Sequence, residues 1–304
     1  MEYLLVNDLN FHGLIKKFLL AKKISQRTIS QIRRGETILL LNDRASDLKQ
    51  SIKPNDKVIL RFQPENNPQL EPNYQPIEIL YEDANWLAIN KPAGLSSVPG
   101  PSDRTTTLVN RVKGYLINRQ ATDLVPHVIT RLDRFTSGVV LLAKHHLAQS
   151  MIEPQVESHL LDKCYLAVVD GQLKTQHGLI DLPIKRVPGQ AKRIIDQQGQ
   201  ISQTEYWVQK TAADQTLVKA KLLTGRNHQI RVHFSHLGYP LVGDQLYGGS
   251  QKLIQRQALH ARQLIFFDPF SGKKIKVVAP LPLDLQQLLG QAFGYDDLQN
   301  AFSG

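Results

Sequence analysis

Asp133 lies between two arginines, in the run His127-Val-Ile-Thr-Arg-Leu-Asp-Arg-Phe-Thr-Ser-Gly138 that precedes the apolar stretch 139–143. A carboxylate flanked by Arg131 and Arg134 beside a tight turn has the setting a nucleophile requires, with opposite charge within reach. Taken alone, the same run also reads as an ion-pair network in a surface loop. Two further segments carry chemically competent groups. In Lys163-Cys-Tyr-Leu-Ala-Val-Val-Asp-Gly171, strand alternation sends Tyr165, Ala167 and Val169 to one sheet face. In Gly225-Arg-Asn-His-Gln-Ile-Arg-Val-His-Phe-Ser-His-Leu-Gly238, a short helix presents basic side chains on more than one face. His228, His233 and His236 are spaced five and three apart, which gives no convergent face for a metal, so none is expected. Lys91-Pro-Ala-Gly94 lacks the Gly-Lys-Ser/Thr of a phosphate loop, and no nucleotide cofactor is expected. Gly243-Asp244 reads as a turn rather than an acid.

The 304 residues suffice for one large domain and a small one. No stretch approaches the ~18 uninterrupted apolar residues of a membrane helix, and no basic region precedes the apolar residues of the N-terminus. Cys164 is the only cysteine, which excludes an internal disulfide and a cysteine-built zinc site. A cytoplasmic location and a monomer are the expectations.

The net charge of +10 is uneven. Residues 1–62 hold twelve Lys/Arg against six Asp/Glu, so a fifth of the chain carries over half the excess. Residues 13–35 contain Lys16, Lys17, Lys22, Lys23, Arg27, Arg33 and Arg34 and no acid. A solvated helical face can look like this, but polyanions are the natural partner of such a run.

Leu14, Ile15, Phe18 and Leu19 repeat at helical spacing; after Ser25 as N-cap, Ile29 and Ile32 continue a second helix that Gly35 can end. Strands at 37–41 and 57–62 then close a small α+β unit. Residues 63–76 include four prolines and predict an extended, flexible linker. From residue 77 the chain alternates β-rich segments and turns: 77–81, 86–90, 139–143, 164–169, 205–209, 217–222, 258–267 and 274–278, with a closing helix at 283–293. The fold class predicted is α+β, a mixed, largely antiparallel sheet with a central cleft and a small N-terminal α+β domain, divided as 1–62, 63–76 and 77–304.

Residues 77–283 resemble a pseudouridine synthase of the RluA type, which isomerises uridine in RNA. The likeness rests on Lys91-Pro-Ala-Gly94, Arg131-Leu-Asp-Arg-Phe-Thr-Ser-Gly138, the Lys163/Tyr165 strand, Gly225-Arg-Asn-His-Gln-Ile-Arg231, Val242-Gly-Asp244 with Tyr247-Gly248, Leu259-His-Ala261 and Ala279-Pro-Leu-Pro282. The family's usual histidine before Arg-Leu-Asp is Thr130 here. About residues 12–62 resemble an S4-type RNA-binding domain in pattern. The resemblance implies Asp133 as nucleophile at the anomeric carbon or at carbon 6 of uracil, and Arg231 as the buried cation beside it. Tyr165 would stack on the base and help remove the carbon-5 proton, for which a tyrosine needs a positive neighbour or a transient anion. Structured ribosomal or transfer RNA would be held by Arg131, Arg134, Arg226 and His228 near the site and by Lys16, Lys17, Arg27, Arg33 and Arg34 on the small domain. No cofactor is implied. The other readings are a non-catalytic RNA-binding or ribosome-assembly factor on the same fold and a nucleoside hydrolase.

Overall fold

Two sheets organise the protein in a computed structural model that describes residues 1–8 and 10–294. The smaller is four-stranded and antiparallel: Glu2–Val6 pairs with Lys57–Phe62, which pairs with Thr37–Leu41, which pairs with Arg44–Ala45. The helices Ile15–Ala21 and Gln26–Arg33 cover one face of it. Ser25 Oγ accepts from the Thr28 N–H at the second helix, and Gly35 ends it with φ 74°.

The larger sheet has ten strands: eight run from His177–Asp181 through Gln203–Thr211, Gln215–Leu222, Asp162–Asp170, Leu259–Asp268, Ser137–Ala143 and Trp86–Lys91 to Ile79–Glu82, while Lys273–Val278 pairs with Leu259–Asp268 and His127–Val128 with Ser137–Ala143. All pairings are antiparallel except Ser137–Ala143 against Leu259–Asp268, where Ser137 faces His260 and Gly138 faces Ala261. That parallel step makes the sheet mixed and demands Gly138: at φ 114°, a Cβ there would lie 2.2 Å from the Ala261 carbonyl oxygen.

One face of the sheet packs Tyr165, Ala167, Val169 and Tyr206 against helix Leu108–Asn118 and against Ile230 and Phe234 of helix Gln229–His236. The opposite face is covered by helix His146–Glu157 at one end and by Leu283–Phe293 at the other.

Several elements lay outside the sequence expectation, the end strand His177–Asp181 among them, and three of these bear on how the fold is assembled. The N-terminal strand Glu2–Val6 supplies a sheet edge. Helix Leu108–Asn118 carries a mid-helix glycine because the chain crosses it there: a Cβ on Gly114 would lie 2.2 Å from the Asn73 carbonyl oxygen. Helix His146–Glu157 accommodates Pro154 and is capped by His145, whose Nδ1 accepts from the Ala148 N–H.

Residues 63–76 are extended but not free, which corrects the flexible linker. Lys113 donates to the carbonyls of Asn67 and Leu70 at 2.7 and 2.8 Å, and Asn110 donates to that of Glu71 at 2.8 Å. The Glu65 carboxylate accepts from the His146 N–H and meets His127 Nε2, each at 2.9 Å. The small sheet's core also continues into the body built on the large sheet through Leu147 and Met151.

Buried histidines tie stability to pH. His145, His233 and His260 are all pushed down to about 4, burial being the main cause in each. A histidine that is neutral when folded and protonates near 6.5 when unfolded contributes stability above about 6.5 that is lost as pH falls toward 4. Each should cost on the order of 2 kcal/mol at pH 5, so the urea midpoint should fall steeply between pH 7.5 and pH 5. A flat midpoint across that interval would count against buried neutral imidazoles.

Candidate active site

The Asp133 loop is clamped from two sides. Ser97 Oγ accepts from the Leu132 N–H at 3.1 Å and donates to the Leu132 carbonyl at 2.8 Å. Lys91, fully buried, donates to the carbonyls of Pro92, Leu95 and Arg134 at 3.0, 2.8 and 3.1 Å, so three acceptors surround its three ammonium protons. Burial pushes Lys91 down to about 7, and the charge of Asp133 opposes the fall. From the other side Arg256 donates to the Phe135 carbonyl and is itself held by the Asp284 carboxylate at 2.6 and 2.9 Å. The Lys91-Pro-Ala-Gly94 segment therefore shapes the loop, a role its sequence did not disclose. Thr130 Oγ1 accepts from the Leu141 N–H at 3.0 Å.

Asp133 is one-quarter exposed, and its ion-pair partner is Arg231, at 3.1 Å between Nη1 and Oδ2. Arg131 and Arg134, its neighbours in sequence, are exposed and form no ion pair with it; Arg134 donates to the Gly94 carbonyl and lies over Phe135. Arg231 comes from helix Gln229–His236, whose start is fixed by Gln229: its amide accepts from Thr224 Oγ1 and the Arg226 N–H and donates to the Gln203 carbonyl and Thr204 Oγ1.

Asp244 corrects the reading of Gly243-Asp244 as a turn alone. It does cap the short helix Gln245–Tyr247, but its buried carboxylate also grips Arg231 in a fork, Nε to Oδ2 at 2.6 Å and Nη2 to Oδ1 at 2.9 Å. Gly243 lets the turn pass under Arg256: a Cβ there would lie 2.0 Å from the Arg256 carbonyl oxygen, at φ 78°. The fork uses two guanidinium nitrogens and leaves Nη1 for Asp133. Of the sequence signals, only an acid in a glycine turn next to an unpaired buried arginine would have pointed to this pair.

A cleft of about 580 Å³ opens beside these groups, of a size to hold one small ligand. Its lining includes Arg131, Asp133, Lys163, Tyr165, Arg226 and His228. Tyr165 is buried, and its proton is held well above the usual phenol range, by desolvation first and by the negative charge of Asp133 second. The charge that acts on Tyr165 is thus negative, not positive. Lys163 is pushed down by burial.

The fold brings Arg131, Arg134, Arg226 and His228 to the same cleft as Asp133, Tyr165 and Arg231. Lys16, Lys17, Arg27, Arg33 and Arg34 sit instead on the two helices of the small domain. There Lys17, Arg27, Arg33 and Arg34 are exposed and Lys16 is half-buried. Arg34 is partly spoken for, since Glu36 meets it at 2.6 and 2.9 Å. His233 is buried, with Nδ1 bonded to Thr204 Oγ1 and Nε2 to the Leu182 carbonyl. Among the described residues no three His, Cys, Asp or Glu side chains converge as a metal site, and no helix is long and apolar enough to cross a membrane.

Residues 85–236 match the family model described as RNA pseudouridylate synthase. The chain is 38% identical to an uncharacterized RNA pseudouridine synthase of Bacillus subtilis, YjbO, over 88% of this chain and 94% of that one. It is 37% identical to the ribosomal large subunit pseudouridine synthase D of Xylella fastidiosa, over 83% and 80% respectively. Among solved structures it resembles human RNA pseudouridylate synthase domain containing 1, with a TM-score of 0.58, 26% identity and coverage of 69% of this chain and 85% of that one. With the cleft, the mixed sheet and these relatives together, the chain belongs to the RNA pseudouridylate synthase family and is an RNA pseudouridine synthase, an isomerase.

Proposed function

We propose that the protein isomerises uridine in structured RNA of the large ribosomal subunit, with Asp133 as nucleophile. The observation that carries this reading is Arg231, forked on buried Asp244 and extending its remaining nitrogen to Asp133 at the edge of a cleft walled by Tyr165. An Asp133 oxygen attacks the anomeric carbon or carbon 6; in either route the bond from the sugar to N1 breaks, a bond from the sugar to carbon 5 forms, and the bond to Asp133 breaks again to return its carboxylate. Carbon 5 loses a proton and N1 gains one, so the formula is unchanged. Uracil departs as a stabilised anion, so the second carboxyl acid of a glycosidase is not needed. Tyr165 serves as a stacking wall for the base.

The small domain fits an S4-like RNA-binding role through Lys16, Lys17, Arg27, Arg33 and Arg34, and the name of the Xylella relative supports ribosomal RNA. A uridine in folded RNA must be extruded at a cost of a few kcal/mol, which contacts elsewhere on the RNA offset. The test uses large-subunit ribosomal RNA tritiated at carbon 5 of uridine, from which the protein should release tritium to water. Release from transfer RNA alone would move the target, and no release from either would refute the reading. In the same assay, Lys17→Glu with Arg33→Glu should raise KM roughly tenfold or more on structured RNA, leave kcat within about twofold, and flatten the salt dependence. An unchanged KM would remove the small domain from RNA binding.

A further inference from the structure

His228 occupies an unusual backbone position for a residue with a full side chain. Its φ of 58° and ψ of 17° lie in the left-handed region, at the N-cap of helix Gln229–His236. Such a conformation costs on the order of 1 kcal/mol or more and persists where surrounding structure enforces it. Here it turns the imidazole into the cleft, with Nδ1 3.0 Å from the Tyr247 hydroxyl and Nε2 3.9 Å from Asp133 Oδ2.

The bonding of Tyr247 favours the tautomer with the hydrogen on Nε2. Its hydroxyl oxygen accepts from the Arg193 N–H at 2.8 Å. The hydroxyl proton therefore needs an acceptor, and His228 Nδ1 is the one in reach. The phenol keeps that proton, because burial pushes Tyr247 up. Two cations lie over its ring, the Arg231 guanidinium 5.0 Å from the centroid and the Lys192 ammonium at 5.4 Å. With Nδ1 accepting, neutral His228 bears its hydrogen on Nε2, directed at the cleft. The 3.9 Å gap to Asp133 exceeds hydrogen-bond range, and among the described residues Nε2 has no acceptor. His233, in the same segment, has both nitrogens bonded within the protein.

We propose that His228 is a further catalytic residue of the isomerisation, its Nε2–H donating a hydrogen bond to the uracil carbonyl oxygen that gains negative charge when Asp133 attacks. This rests on Asp133 being the attacking group. If attack is at the anomeric carbon, the electron pair of the broken bond to N1 spreads onto the uracil oxygens. If attack is at carbon 6, the carbon 5–carbon 6 π pair does the same. In both cases the imidazole keeps its proton, and no atom is transferred. Burial lowers His228 below its ordinary value; Arg231 and Arg193 add to the fall, while Asp133 and Asp244 oppose it. A neutral imidazole held in place beforehand is an effective donor to a developing oxyanion and adds no cation beside Arg231.

The test is single-turnover isomerisation of RNA oligonucleotides carrying uridine, 2-thiouridine or 4-thiouridine at the target position, sulfur being a poor hydrogen-bond acceptor. His228→Ala should slow the uridine reaction roughly 10²- to 10³-fold with RNA affinity within about threefold, and His228→Gln should recover part of the rate. Wild type should slow on one of the two thio-substrates, and His228→Ala should not slow further on that one. Full activity of His228→Ala, or penalties that multiply independently, overturns the proposal. So does imidazole ¹⁵N NMR of the wild-type protein showing the hydrogen on Nδ1, a measurement that needs no variant to fold. Asp133→Asn separates the two claims. If it remains active, the nucleophile reading fails; if it is inactive while His228→Ala is not, only the role of His228 fails.

Discussion

Asn in place of Asp133 is expected to lower pseudouridine formation by roughly 10⁴-fold or more, the scale on which enzymes lose rate when their attacking group is removed. The substitution preserves volume, and the loop does not depend on the carboxylate for its shape. Leu132 is held by Ser97, Arg134 by Lys91, and Phe135 by Arg256, all through main-chain atoms. Thermal stability should accordingly change by less than about 1 kcal/mol, since Asp133 is part-exposed and Arg231 retains its fork on Asp244. RNA binding should hold or tighten slightly as a negative charge leaves the cleft. Nucleoside analysis of digested RNA reads the chemistry and filter binding reads the affinity. Pseudouridine at even one-tenth of the wild-type rate would mean that another group attacks.

Asp244→Asn should act on both stability and rate. The carboxylate is buried and takes two charge-assisted bonds from a guanidinium that is itself buried. An amide can accept one of those bonds, but its NH₂ then confronts the guanidinium N–H groups. Removing one partner of a buried pair typically costs about 3–5 kcal/mol, because the other charge is left uncompensated. Arg231 then has one strong anion in reach instead of two, and it should rotate toward Asp133, closing the 3.1 Å contact into a fork of its own. The expected result is a fall in urea midpoint with a fall in kcat of about 10²-fold or more and little change in KM, the pattern of a positioning residue. Arg231→Lys should share the loss of rate, since an ammonium cannot bridge two carboxylates with fixed directions. A destabilised variant with unaltered kcat would reduce Asp244 to a purely structural role.

What the sequence disclosed follows from the range over which each signal operates. The strand at Thr37–Leu41, the strand at Lys57–Phe62 and the closing helix Leu283–Phe293 were legible because periodicity and turn residues are local. So was the shared face of Tyr165, Ala167 and Val169. Helix Leu108–Asn118 was not, because its Gly114 answers to a distant carbonyl rather than to helix propensity. Nor was the freedom of residues 63–76: proline content describes the chain's own stiffness and says nothing of Lys113 and Asn110 waiting to bond its carbonyls. At the candidate site, motif order pointed to Asp133, Tyr165 and Arg231. The intuitive electrostatic partners, Arg131 and Arg134, were misleading because adjacent side chains in a turn diverge, whereas a residue 98 positions away arrives in register. Asp244 was passed over because a glycine turn accounts for an aspartate without any partner.

The bonded segment 63–76 has a consequence for how RNA is chosen. A slack tether lets two binding surfaces find their sites at many separations, so it rewards affinity and tolerates variety. A tether whose carbonyls are fastened along Lys113 and Asn110, and whose Glu65 is seated between His127 and His146, behaves as a calliper of fixed opening. On the proposed reading, both surfaces engage together only where an RNA presents its stem and its uridine at that one span. A uridine of identical local sequence at a different distance gains nothing from the basic helices, and selection is then made by the architecture of the RNA rather than by its letters.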